Sequence, residues 1–189
     1  MQLELTIPNK PLVLGPRRLA RIQSRQDLVQ SLGYFAVIAV MAMFLLDGGI
    51  SAVIDIPSAL DALSRLTSLV GTALMLVMLV LTAKAPWVDA AIGQDNATLA
   101  HKKLGKPALY LILTHFVASL VSFAITDGKN VAAELGSLIT GVDDMLTATI
   151  SVVAMIVVVV TSMTFARKRV KYETWFVVHL LSYVSVIAA

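Results

Sequence analysis

Five uninterrupted apolar runs constrain this chain more than any other feature. Stretches free of Asp, Glu, Lys and Arg extend over 28–46, 66–83, 107–126, 145–166 and 174–189, and a helix that crosses the hydrocarbon core needs about 20 such residues. A soluble domain could bury one of them. Five within 189 residues, in a chain that is 58% hydrophobic and 14% charged, leave too little polar surface to clothe a globule, whose charged fraction is normally about 25%. In the bilayer every backbone N–H and C=O must be paired within the protein, which admits only helices or closed barrels, and barrel strands need only about 10 alternating residues. The expected fold is therefore an all-α membrane protein, a bundle of about five transmembrane helices.

The loops between the runs divide by charge. Every Lys and Arg except Arg65 and Lys129 lies in the N-terminal tail, in the link 84–106 or in the link 167–171, whereas Asp47, Asp55, Asp61, Asp127, Glu134, Asp143 and Asp144 lie in the other two links. The positive-inside rule makes the basic side cytoplasmic, with the N-terminus inside and the far end of the fifth run outside. The net charge of +3 thus has a topological meaning, and no nucleic-acid partner is expected. The chain divides into a cytoplasmic basic segment, 1–27, and a transmembrane region, 28–189, set in a cell (inner or plasma) membrane. In the first, "PNKPLVLGPRR" reads as an irregular lead-in and "RRLARIQSRQ" as an amphipathic helix on the anionic inner leaflet, a sixth element. No small-residue cleavage site follows the first run, which is read as an anchor rather than a signal peptide. Outside, "SAVIDIPSALDALSR" has helical apolar spacing suited to skimming the surface. The absence of cysteine removes disulfides and thiolate metal sites from consideration.

Polar chemistry inside the membrane is concentrated in three histidines. His101 and His115 bracket "HKKLGKPALYLILTH"; a separation of 14 residues puts them about 40° apart around a helix and about 21 Å apart along it. His179 follows the third basic link and therefore lies at the depth of His101. An imidazole in hydrocarbon costs several kcal/mol unless something binds it. One alternative is a ring hydrogen-bonded to a neighbouring helix. The set as a whole suits two metal centres stacked through the bilayer, and haem is the centre that takes one imidazole on each face. Zinc fits less well, because its protein ligands cluster within one coordination sphere. Pairing by depth joins His101 to His179 and leaves His115 without a visible partner; a helical repeat beyond His179 falls just past Ala189.

Two stretches then carry a family likeness. "AKAPWVDAAIGQDNATLAHKKLGKPALYLILTH" resembles the Arg-x-Pro, Gly-x-Asp and His-Arg-x-x-Gly pattern of the ferric reductase and NADPH oxidase superfamily, and "RKRVKYETWFVVHLLSYV" resembles its basic-Tyr-Glu-Trp-x-x-x-His pattern. The likeness is to the membrane domain that, in bacterial oxidoreductases, precedes a flavin and nicotinamide module. It implies two b-type haems between the third and fifth helices, with His101 and His179 as iron ligands of the inner one and His115 as an iron ligand of the outer one. It further implies electron flow from FAD and NAD(P)H, on a cytosolic flavin reductase domain or subunit, to an acceptor outside such as ferric iron or oxygen. The sequence departs from the pattern at Lys84 and Lys102, which replace arginines, and at Phe176, where many members carry another histidine. It also lacks the fourth histidine and any flavin or nicotinamide site. The expectation is that the domain is truncated at its C-terminal end.

Other residues support this reading while keeping plainer alternatives. Gly105, one turn beyond His101, offers a porphyrin close approach to the backbone, or equally a small-residue helix contact. Arg65 is placed to meet an outer-haem propionate, or to snorkel to the surface beside Asp61. Lys102, Lys103 and Lys106 suit inner propionates or an acidic reductase face, with topology signalling sufficient by itself. Pro107 is expected to begin the third span or to kink it. Trp87 and Trp175 fit the interfacial aromatic belt, and the methionines fit core or lipid contact. Two competing functions remain open at this level: a separate cytochrome b subunit fed by a partner or quinol, and a haem-free transporter or structural subunit.

Overall fold

The computed structural model describes residues 15–162, 169 and 171–188. Among these the chain forms seven helices and no strand: α1 (Pro16–Leu46), α2 (Ile56–Thr82), α3 (Pro86–Ile92), α4 (Gln94–Thr126), α5 (Val131–Gly141), α6 (Met145–Ser162) and α7 (Tyr172–Ala188). Residues 8–14 of the expected lead-in, 163–168 at the end of the fourth run and its basic link, and Ala189 lie outside the described residues. Four helical stretches are long and apolar enough to cross a membrane: Gln23–Leu46, Ile56–Thr82, Gln94–Thr126 and Met145–Ser162. α7 adds a fifth apolar helix of 17 residues, about 25 Å long at 1.5 Å per residue. The protein is a multi-pass helical membrane protein. Its outward surface confirms the solvent it is made for, since Phe35 and Ile38 are 68% and 62% exposed on helices that water would not tolerate in that state.

Two expectations about the helix boundaries are revised. "RRLARIQSRQ" is helical, but it forms the first turns of the 31-residue α1 rather than a separate surface element; nothing between Pro16 and Leu46 breaks the backbone ladder. Likewise, "IPSALDALSR" does not skim the surface on its own. It opens α2, started by a capping box in which the Asp55 carboxylate accepts the Ser58 N–H at 2.8 Å and the Ser58 hydroxyl oxygen accepts the Asp55 N–H at 2.9 Å. Hydrogen bonds donated to the Asp55 carboxylate by the Ser58 hydroxyl and by the Ser58 N–H hold it below its ordinary range. Pro107 lies inside α4, which runs unbroken from Gln94 to Thr126, so the third span does not begin there.

α2 and α4 form the most extensive helix pair. Their seam depends on small residues: a Cβ at Gly71 would lie 2.8 Å from Ile112 Cδ1 and 3.3 Å from Leu111 Cβ, and Ala73, Ala108, Ala118 and Ala124 are buried. Lipid is as apolar as leucine, so close backbone approach and interhelical hydrogen bonds, rather than hydrophobicity, drive such association. Ser122 supplies one such bond, donating to the Pro57 carbonyl at 2.8 Å. At the C-terminal end of α2, Leu81, Val88 and Ala97 form a buried cluster that fastens α3 between α2 and the start of α4. The α3–α4 corner is made by Gly93 at φ 75°, ψ 153°, a region essentially closed to residues with a Cβ.

A second pair, α6 with α7, is tied by reciprocal serines. Ser151 donates to the Ser185 carbonyl at 2.5 Å, and Ser185 donates to the Ser151 carbonyl at 2.9 Å. On the acidic side, Lys129 bridges Asp127 at 2.9 Å and the buried Glu134 at 3.0 Å, and these carboxylates, Asp127 foremost, push the Lys129 ammonium above its ordinary value.

Filling the seam at Gly71 tests this account. Gly71→Val is expected to cost about 1–3 kcal/mol, the usual penalty of overpacking, read as a lower unfolding midpoint in detergent. Gly105→Ala, where an added Cβ meets nothing within 4 Å, should leave the midpoint unchanged.

Candidate functional site

The Leu81, Val88 and Ala97 cluster and the Gly93 corner place α4 so that His101 stands two turns into the helix, half-buried, beside α2. α7 brings His179 to it. The two imidazoles, 78 residues apart in sequence, have ring centres separated by 6.1 Å and planes inclined at 72°. Two imidazoles bound to a common metal, each about 2 Å from it, have ring centres roughly 6 Å apart, and their planes are free to rotate about the shared axis. The separation thus fits one ion between them.

The donor chemistry also fits. His101 bonds the Met78 backbone of α2, and its buried Nδ1 has no close hydrogen-bond partner; an unmet polar atom in such a setting calls for a ligand or partner. His179 differs. Its Nδ1 lies 3.2 Å from the Ser162 hydroxyl of α6, and the Trp175 indole stacks on its ring with centres 4.9 Å apart and planes at 24°. With Nδ1 engaged, Nε2 is the nitrogen left for a metal. Among the described residues no group of three or more His, Asp or Glu side chains gathers.

His115 lies further along the same helix, and α2 pins it. The Ser64 hydroxyl lies 2.8 Å from His115 Nδ1 and the Ser64 carbonyl 3.1 Å from the same nitrogen. Ser64 itself is 2% exposed. Since the chain has three histidines and the other two face each other, no imidazole of this sequence opposes His115.

The remaining singled-out residues sort clearly. Gly105 has open space where a Cβ would project, so it seats no neighbouring helix; the small residue that does so is Gly71. Arg65 does not pair with Asp61. It forms an ion pair with Asp47 at the C-cap of α1, because the turn at 47–55 returns the chain beside α2, and the carboxylate one helical turn back loses the competition. Trp175, expected only as a belt residue, packs on His179, whereas Trp87 is 52% exposed on α3. Phe176 stacks on Tyr172 at 6.3 Å between ring centres. Lys84 adopts φ 51° at the end of α2, and Lys102, Lys103 and Lys106 are exposed along α4.

Sequence reasoning passed over Ser64 and Ser162, the two hydroxyls that hold imidazoles. Their only sequence signal is a polar residue at or beside an apolar run, and most such residues bond their own helix: Thr67 donates to Leu63 O at 2.7 Å and Thr82 to Met78 O at 3.0 Å.

Comparison with known proteins gives one match. The family model described as "Ferric reductase like transmembrane component" covers residues 67–189, a span that takes in all three histidines. No curated protein and no solved structure matches the chain.

Removing the His115 partner tests the geometry at that ring. Ser64→Ala is expected to cost about 0.6 kcal/mol, the average for an interhelical bond within a membrane, and not more than about 1.7 kcal/mol. Thermal unfolding of the purified chain measures it, with Ser64→Thr as the variant that retains the hydroxyl.

Proposed function

The chain belongs to the ferric reductase-like transmembrane family, and from that membership we propose that it carries electrons singly across the membrane through two b-type haems. The donor in this reading is a cytosolic flavin, FAD, reduced by NAD(P)H on a following domain or a partner reductase subunit. The acceptor is extracytoplasmic, ferric iron or oxygen. The observation that carries the proposal is the approach of His101 and His179 to 6.1 Å between ring centres, with the buried His101 Nδ1 lacking a close hydrogen-bond partner.

Haem b supplies a one-electron iron couple whose potential follows its axial ligands and surroundings. The chain's own residues would supply the rest. His101 and His179 grip the inner iron from α4 and α7, and His115, fixed by Ser64, offers Nε2 to the outer one. The open backbone face at Gly105 leaves room beside His101 for a planar macrocycle. Lys102, Lys103 and Lys106 put positive charge at the inner end of α4, where carboxylates of a propionate or an acidic reductase face would be favoured. Arg65, already neutralised by Asp47, is available to an outer propionate only by exchanging partners. The bundle excludes water and holds the two levels about 21 Å apart along α4. The distribution of Lys and Arg supports a cytoplasmic N-terminal side and a cell-membrane location.

An absorption spectrum of the detergent-purified chain, expressed with haem supplied, tests the proposal directly. A Soret band is expected, with a pyridine haemochrome assay counting the centres. His101→Leu or His179→Leu should abolish the inner centre and spare the outer, and His115→Leu should do the reverse. A colourless protein that is otherwise folded would overturn the proposal, and loss of both centres from any one change would overturn the pairing.

A further inference from the structure

We propose that Ser162 and Trp175 are a positioning pair for His179, in which one serine oxygen accepts both the Trp175 indole N–H and the His179 Nδ1–H and so aims Nε2 at His101. This rests on the haem reading for its consequence and for the choice of His179 tautomer, but not for the placement of the three side chains. Ser162 Oγ lies 3.3 Å from Trp175 Nε1 and 3.2 Å from His179 Nδ1, while the indole face covers the imidazole at 4.9 Å between ring centres.

The direction of each bond follows from the inventory of donors. An indole nitrogen can only donate, so the serine oxygen must accept from Trp175. A serine oxygen has two acceptor sites, and the second is the one that an Nδ1–H can use. Were the hydroxyl instead to donate to Nδ1, the ring proton would sit on Nε2 and would block metal ligation there. Trp175 and His179 are four residues apart and therefore neighbours on one face of α7. Stacking restrains the imidazole about χ2, which is otherwise a soft torsion.

A ligating histidine that donates from its second nitrogen gains basicity in proportion to the strength of that acceptor. Ser162 is a shared acceptor, so it raises the basicity of His179 only partly. Deleting the serine and deleting the indole N–H must therefore act in opposite senses. Ser162→Ala removes the acceptor, makes the ring a poorer donor to iron and eases reduction of the inner centre. Trp175→Phe keeps a stacking face, frees the serine oxygen for His179 alone and makes reduction harder.

The test is a spectroelectrochemical titration of the haem-loaded chain and its two variants. The expected result is opposite displacement of the inner midpoint, each by up to about tenfold in the one-electron equilibrium, or about 59 mV, with the outer midpoint unmoved. Displacement in the same sense, or none with the inner centre intact, overturns the proposal. A second measurement needs no haem: nitrogen NMR of the histidine-labelled chain should show His179 as the Nδ1–H tautomer, lost in Ser162→Ala and kept in Ser162→Thr. An Nε2–H tautomer in the unaltered chain would overturn the positioning role whatever the haem content. A colourless chain with the Nδ1–H tautomer would sink the haem reading and leave the positioning pair standing.

Discussion

The close seam between α2 and α4 is the constraint on which the rest depends. α4 carries two of the three histidines, and its height and rotation are set by what α2 permits: backbone approach at Gly71, a hydroxyl at Ser64 for His115, and a Pro57 carbonyl for Ser122. In a bilayer, apolar side chains gain nothing from leaving lipid for one another, so small residues and directional bonds must do the aligning. The seam has both. Below it, the Leu81, Val88 and Ala97 cluster and the Gly93 corner stop α4 from sliding along its axis.

From that fixed helix the three imidazoles receive unequal treatment. His115 is held by one residue of α2 through both its hydroxyl and its carbonyl; His179 is held by a hydroxyl of α6 and an indole of its own helix; His101 bonds the Met78 backbone and keeps a buried Nδ1 without a close partner. Anchoring a ring through Nδ1 chooses Nε2 as its outward nitrogen, which is how outer partners commonly prepare histidine for a metal. The His101 and His179 rings approach to 6.1 Å between centres, and the support of His179 comes from α6 and α7, the pair joined by the Ser151 and Ser185 bonds.

Much of this was legible in the residues. The apolar runs fixed the number of spans because hydrocarbon thickness sets helix length, and the 14-residue spacing of His101 and His115 put them on one face because helical twist is regular. Depth counting brought His179 level with His101. Helix ends were less legible: α1 and α2 begin well before their apolar cores, since capping by Asp55 and Ser58, and continuity from Pro16, act on backbone groups whatever the polarity of the side chains. The ion-pair partner of Arg65 was not legible for a related reason. Its helical neighbour Asp61 is evident in sequence, whereas Asp47 reaches it only once the turn at 47–55 has closed.

The sequence by itself determined that this chain is a membrane bundle and which of its helices carry imidazoles, because length and periodicity act locally or through the bilayer as solvent. Tertiary structure alone decided which serine serves which histidine and that Trp175 lies on His179. A hydroxyl within a span can bond its own helix one turn back or reach across to the next, as Thr67 and Ser64 respectively do. That choice depends on the distance between helices, and no run of residues along one helix encodes it.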